Sequence, residues 1–212
     1  MKNYLIIDCS CGMNVHLKNG EQSFSHVDEN QKRHTDDLLV VVDKLLTDAG
    51  IKITDVENFC VCVGPGSFTG IRVAISMIKG LGVNSSAAVS VASNFDAFHI
   101  EKTDGYVCVL DGFSNFVYAR FCLNGKIYDE CIDASELKNR IENKNLTTYV
   151  LLEKTQNFLK KFEIDSIIVK NNIIECFEKK INNGDFVDLN QISPIYLRAS
   201  QAEIERNKRL NK

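Results

Sequence analysis

An α/β fold in two similar lobes, each a mixed β-sheet with helices, is predicted by three observations. Hydrophobic periodicity switches between a two-residue and a helical repeat along the 212-residue chain. Three strand-like runs precede the first helix, and past residue 105 the same opening recurs. Turn signals of the Asn-Gly type fall at matching places in the two halves. With 44% hydrophobic and 25% charged residues, the composition is that of a globular chain and excludes disordered and fibrous classes.

Residues 4–9 (YLIIDC) are a β-rich apolar run, residues 10–14 carry turn chemistry, and residues 15–17 resume the strand pattern before Asn19-Gly20. Residues 22–27 supply a third strand, so an antiparallel meander opens the chain. From 32 to 49 the period becomes helical, with Leu38, Leu39, Val41, Val42, Leu45, Leu46 and Ala49 on one broad face and Gly50 as C-terminal cap. A buried strand at 59–63 runs into Gly64-Pro65-Gly66, and Ser67 or Thr69 caps a second helix reaching about residue 81. Its polar residues Arg72, Ser76 and Lys79 form one narrow stripe. Ile71, Val73, Ala74, Ile75, Met77, Ile78 and Leu81 cover the rest, so this helix needs burial on two sides. Its own sheet supplies one side; a second helix, from this chain or another, must supply the other. A strand at 87–91 and a helical segment at 93–99 complete the order βββαβαβα, the arrangement of ribonuclease H-like lobes.

After residue 105 come strands at 106–110, 116–123 and 126–131, with a turn at 111–115 and Asn124-Gly125 between the last two. Helices at 135–142, 153–162 and 173–181 follow, with short strands at 148–152 and 166–169. Both halves read strand, Asp, turn, strand, Asn-Gly, strand, which predicts two lobes of the actin and sugar-kinase (ASKHA) type. The expected boundaries are 1–101 for the lobe with the glycine loop, 102–192 for a reduced second lobe, and 193–212 for an extended segment and charged helix.

The formal charge of −3 and a pI near 5.8 give no basic excess of the kind nucleic-acid binders carry. No run approaches the roughly 18 apolar residues of a membrane helix, and the first residues lack the pattern of a signal peptide. A soluble, cytoplasmic protein is expected. Most of the eight cysteines sit in strand-like runs such as FCVCV and YVCVL, and no C-x-x-C occurs. They are expected to be reduced and to act as small buried hydrophobes. The histidines, His16, His26, His34 and His99, include no i, i+4 pair, so no metal site is expected. Neither Ser10 nor Ser67 has a histidine near in sequence with which to build a hydrolase triad.

Two features carry candidate chemistry. The loop with Gly64, Gly66 and Ser67 opens a helix, where backbone N–H groups can hold an anion; equally, its glycines can serve a tight turn with close backbone contact. It lacks the lysine and spacing of a Walker A loop. Asp8, followed by Ser10, and Asp111 end the first strand of each lobe. Such aspartates can face nucleotide phosphates or simply cap a turn.

Four strings resemble the TsaB (YeaZ) family: VGPGSFTGIRV at 63–73, LIIDCS at 5–10 with Cys9 in place of threonine, RHTDDLL at 33–39 and PIYLR at 194–198. The resemblance implies a non-catalytic subunit, with no catalytic and no metal-binding residues of its own. Its partner would be a TsaD-like subunit that transfers a threonylcarbamoyl group to adenosine 37 of tRNAs reading ANN codons, and a TsaE-like ATPase would join them. Residues 91–98, where TsaD carries metal-binding histidines after its glycine loop, contain none. The resemblance further implies a homodimer when the chain is alone, no cofactor of its own, and ATP or ADP at most at the interface of the complex. It places the partner surface on the two first-lobe helices: His34, Leu38, Val42, Leu45, Phe68, Ile71, Arg72, Ile75 and Ile78, with Leu38, Val42, Ile75 and Ile78 as central anchors. tRNA contact would be indirect or confined to the basic tail from Arg206 to Lys212. Past Asp111 the chain departs from the family, with Gly112-Phe113 and Phe116-Val117-Tyr118 where Ala-Arg and Glu-Val-Tyr are usual. Competing readings are a small ASKHA-type phosphotransferase using Asp8 and Asp111, a glycoprotease-like hydrolase, and a nucleic-acid-binding module resting on the tail.

Overall fold

The computed structural model describes residues 2–28 and 34–198, without the side chains of 34–36. In the first unit the chain runs β1 (Tyr4–Asp8), β2 (Met13–Asn19), β3 (Gln22–Asp28), α1 (His34–Ala49), β4 (Asn58–Cys62), α2 (Phe68–Gly82) and β5 (Ala88–Ala92). The sheet order is β3-β2-β1-β4-β5, with β1 antiparallel to β2, β2 antiparallel to β3, and β1, β4 and β5 parallel. Every residue of β1 and β4 is buried, as expected of strands covered on both faces. On one face Leu5, Ile7, Leu17 and Phe59 pack with Leu38 of α1 and Ile71 and Ile78 of α2.

The second unit repeats this plan. Strands β6 (Tyr106–Asp111), β7 (Phe116–Leu123) and β8 (Lys126–Asp133) are followed by α3 (Ala134–Lys144), β9 (Thr147–Val150), α4 (Glu153–Lys160) and β10 (Ile167–Ile168). The order β10-β9-β6-β7-β8 matches the first sheet strand for strand. Val107, Val109, Val117 and Phe121 meet Leu137 of α3 and Leu159 of α4 in its core. Asn124 and Gly125, at φ of 52° and 69°, make the two-residue turn that pairs Leu123 with Lys126. The fold class is therefore the doubled α/β plan read from the sequence.

The boundaries differ from the expected 1–101, 102–192 and 193–212. Of the described residues, one compact unit comprises those up to Phe98 together with Asn171–Ile195; the other comprises His99–Lys170 and residues 196–198. The reason is α5 (Ile173–Asn183), the last α-helix among the described residues, which returns to the first sheet. Its fully buried Phe177, with Ile181, covers Tyr4, Ile6, Cys60 and Ala92 on the face opposite α1 and α2. The segment after it stays there too: Val187 N donates to Val89 O at 2.8 Å, and Ile192 enters the first core. Residues 93–99, expected as an α-helix, form a single short 3-10 turn at Asn94–Ala97.

Candidate functional site

The conspicuous loop joins β4 to α2. Ser67 caps α2, its side chain accepting from Gly70 N at 3.2 Å, as the sequence suggested. The Gly64-Pro65 peptide is cis, and Gly64 has φ of +102°. Gly66 and Gly70 are fixed by proximity: a Cβ on Gly66 would lie 2.5 Å from Ser10 O, and one on Gly70 only 1.9 Å from Cys9 O. The start of α2 therefore rests directly on the backbone leaving β1. Ser67 N donates to Ser10 O at 2.8 Å and Ile71 N to Ser67 O at 2.9 Å, so several amides of this helix start bond within the chain.

Beneath the loop lies a chain of buried polar groups. Ser10 donates twice to Asp8 Oδ1, from its N at 2.9 Å and from Oγ at 2.5 Å. Asn94 Nδ2 donates to Ser10 Oγ at 2.6 Å and to Pro65 O at 2.7 Å. Asn94 N donates to Gly64 O at 2.8 Å, and Cys62 Sγ donates to Asn94 Oδ1 at 3.1 Å. Asp8, Ser10, Cys62 and Asn94 are all buried. Burial raises the Asp8 carboxyl above the ordinary carboxylate range, against the opposing pull of its bonds with Ser10 and Cys62. Burial and the nearby Asp8 charge push the Cys9 thiol up to about 12 and the Cys62 thiol well up.

Asp111 holds the matching place at the end of β6. Thr155 Oγ1 donates to its Oδ1 at 2.5 Å, and Lys154 Nζ lies 3.0 Å from Oδ2. Both partners belong to the first turn of α4, so in each unit the end of the first strand is bonded to the start of the helix beyond the fourth. A Cβ on Gly112 would fall 2.1 Å from Phe116 O, so the turn after Asp111 leaves no room for a side chain there.

A family model described as TsaD, tRNA N6-adenosine threonylcarbamoyltransferase, matches residues 25–136, more than half of the chain. The chain belongs to this family. Within it the likeness is to TsaB (YeaZ) proteins. The chain is 32% identical over 108 residues to the tRNA threonylcarbamoyladenosine biosynthesis protein TsaB of Haemophilus influenzae, covering 48% of this chain and 45% of that one. It is 34% identical over 61 residues to the Escherichia coli protein of the same description, covering 29% and 26%. The chain thus spans less than half the length of these curated relatives. The structure of YeaZ from Pseudomonas aeruginosa superposes with a TM-score of 0.71 at 19% identity, over 93% of this chain and all of that one, and so shares its fold.

The nominated interface residues of this family member are placed mostly inside. Leu38, Val42, Leu45, Ile71, Ile75 and Ile78 are buried in the first core, Phe68 is half-buried and Arg72 is exposed. The His34 side chain and the tail from Arg206 to Lys212 lie outside the described residues. The second covering that α2 requires comes from this chain, since α1 packs beside it over the same sheet and both helices feed one core. The apolar residues that α1 shows to solvent are Leu39 and Val40, 58% and 66% exposed, among the exposed Asp37, Asp43, Lys44, Thr47 and Asp48. On α2 the exposed residues are Thr69, Arg72, Ser76 and Gly80.

Asn94 is the residue that sequence reasoning passed over. A Ser-x-x-Asp signature marks its turn, with Ser93 N donating to Asp96 Oδ2 at 2.8 Å, but the same letters open α-helices. None of the eight cysteines is in a disulfide, and five are buried. Among the described residues no group of three or more His, Cys, Asp or Glu could hold a metal ion. No helix among them is long and apolar enough to cross a membrane.

Proposed function

We propose that this chain is a non-catalytic subunit for threonylcarbamoyl transfer to adenosine 37 of ANN-decoding tRNAs, acting by binding a TsaD-like catalytic subunit and allowing a TsaE-like ATPase to join. The family match and the TsaB likeness support the pathway. The observation that carries the non-catalytic reading is the filled seat beneath the glycine loop. A carboxylate that holds a metal-bound phosphate has to be ionised and accessible. Asp8 is instead buried, raised and bonded twice by Ser10, which is held in turn by Asn94. Gly66 and Gly70 admit close contact with the chain's own backbone, which is the tight-turn use of glycine. In this proposal the chain needs no nucleotide of its own.

For the partner surface we propose the solvent side of α1 and α2 rather than the buried anchors. Leu39, Val40 and Arg72 are what a partner would touch, and the same patch would join two copies when the catalytic subunit is absent. The test is co-purification with a TsaD-like subunit. Val40→Asp is expected to abolish the complex while leaving the thermal midpoint of the isolated chain within about 2 °C, because surface changes are usually within ±0.5 kcal/mol. A normal complex with Val40→Asp would place the surface elsewhere.

A further inference from the structure

We propose that Asn94 is the positioning residue that sets the glycine loop, and through it the start of α2, for partner docking; this rests on the scaffold reading above. Asn94 comes from the turn after β5, far in sequence from what it holds. Its single side-chain nitrogen bonds two elements at once, Ser10 Oγ after β1 and Pro65 O in the loop. Its oxygen accepts from Cys62 at the end of β4, and its backbone N ties Gly64 O. Four points on three segments thus converge on one asparagine that is itself buried.

The linkage continues outward. Ser10, held by Asn94, presents its carbonyl to Ser67 N, and Ser67 caps α2 through Gly70 N. Ser10 O and Cys9 O also form the surface against which Gly66 and Gly70 seat. A shift of Ser10 therefore moves the first turn of α2, which carries Thr69 and Arg72 on its exposed side. Shape, donors and burial make asparagine specific: aspartate has the same outline with no donor nitrogen, and would set an acceptor against Pro65 O and Ser10 Oγ.

The experiment uses the full chain with Asn94→Asp and a TsaD-like subunit, read by titration calorimetry from pH 5 to 8, with hydrogen exchange over residues 64–72. At pH 8 the variant is expected to bind at least about tenfold more weakly, the factor that corresponds to one lost buried hydrogen bond. Exchange over 64–72 is expected to quicken while the strands keep their protection. As pH falls, protonation of the introduced carboxyl restores one donor, so the affinity deficit is expected to shrink toward pH 5; a defect of packing alone would not change. If wild type binds and the variant matches it at pH 8, or if exchange over 64–72 is unaltered, the assignment to Asn94 is overturned. If wild type itself does not bind, the scaffold reading fails instead, and the exchange measurement still decides whether Asn94 sets the loop.

Discussion

Replacing Gly70 by alanine tests the seating of α2 on the end of β1. At an exposed helical site, glycine to alanine stabilises by roughly 0.5–1 kcal/mol. Gly70 is helical but not exposed: a Cβ there would stand 1.9 Å from Cys9 O and 2.9 Å from Cys9 C, and both are backbone atoms. Reaching ordinary contact at 3.4 Å requires the helix start to retreat by about 1.5 Å. That retreat takes the 2.8 Å Ser67 N to Ser10 O bond out of range. Overpacking costs roughly 1–3 kcal/mol and an orphaned buried polar pair about as much again, so a net loss of about 3 kcal/mol is expected. Gly80, on the same helix with nothing within 4 Å of where a methyl would stand, is the control. Gly80→Ala is expected to gain about 0.5–1 kcal/mol. Urea denaturation of the three proteins side by side decides the matter. Two alanine variants shifted in the same direction, or Gly70→Ala within about 0.5 kcal/mol of wild type, would refute the reasoning.

Three further outcomes follow from the same geometry. Because burial raises the Asp8 carboxyl in the folded chain, its contribution favours folding at pH below about 4 and is lost as pH rises through the folded value; Asp8→Asn should therefore gain thermal stability relative to wild type between pH 4 and pH 7, and an unchanging difference would contradict this. Phe177→Ala removes a fully buried ring from the face covered by α5 and should cost about 3–5 kcal/mol, with limited proteolysis cutting first within 171–195; cutting in the second unit instead would contradict the division into units. With a thiol reagent on the native chain, the half-buried Cys11, Cys131 and Cys176 should react before the five buried cysteines, which should react only on unfolding; fast reaction of Cys60 or Cys62 would contradict their burial.

The strand meanders, the Asn-Gly turns, both first-unit helices and the repeat of the plan are legible because each rests on local chemistry: alternation, turn residues, and a glycine after Ala49. The return of α5 is not. Phe177 and Ile181 form an apolar helical face whichever sheet they meet, and choosing between the two sheets is a long-range matter that periodicity does not carry. The same limit explains the interface residues. Leu38, Val42, Ile75 and Ile78 look surplus to one core in the sequence, yet α1 and α2 share a single core and consume them there. Leu39 and Val40 look like more of the same apolar stretch, although they face solvent. At the candidate site the paired aspartates and the glycine loop stand out in the sequence, whereas Asn94 acts through four bonds to distant segments, and no spacing rule links residue 94 to residue 10.

The central claim is that this chain assists a threonylcarbamoyl transfer that it does not catalyse. The most direct measurement is incorporation of labelled threonylcarbamoyl into an ANN-decoding tRNA by a TsaD-like subunit with a TsaE-like ATPase, run with this chain, without it, and with this chain alone. The account predicts modification only when the TsaD-like subunit and this chain are both present, and none from the chain alone. Turnover by this chain alone, or full activity in its absence, would contradict it.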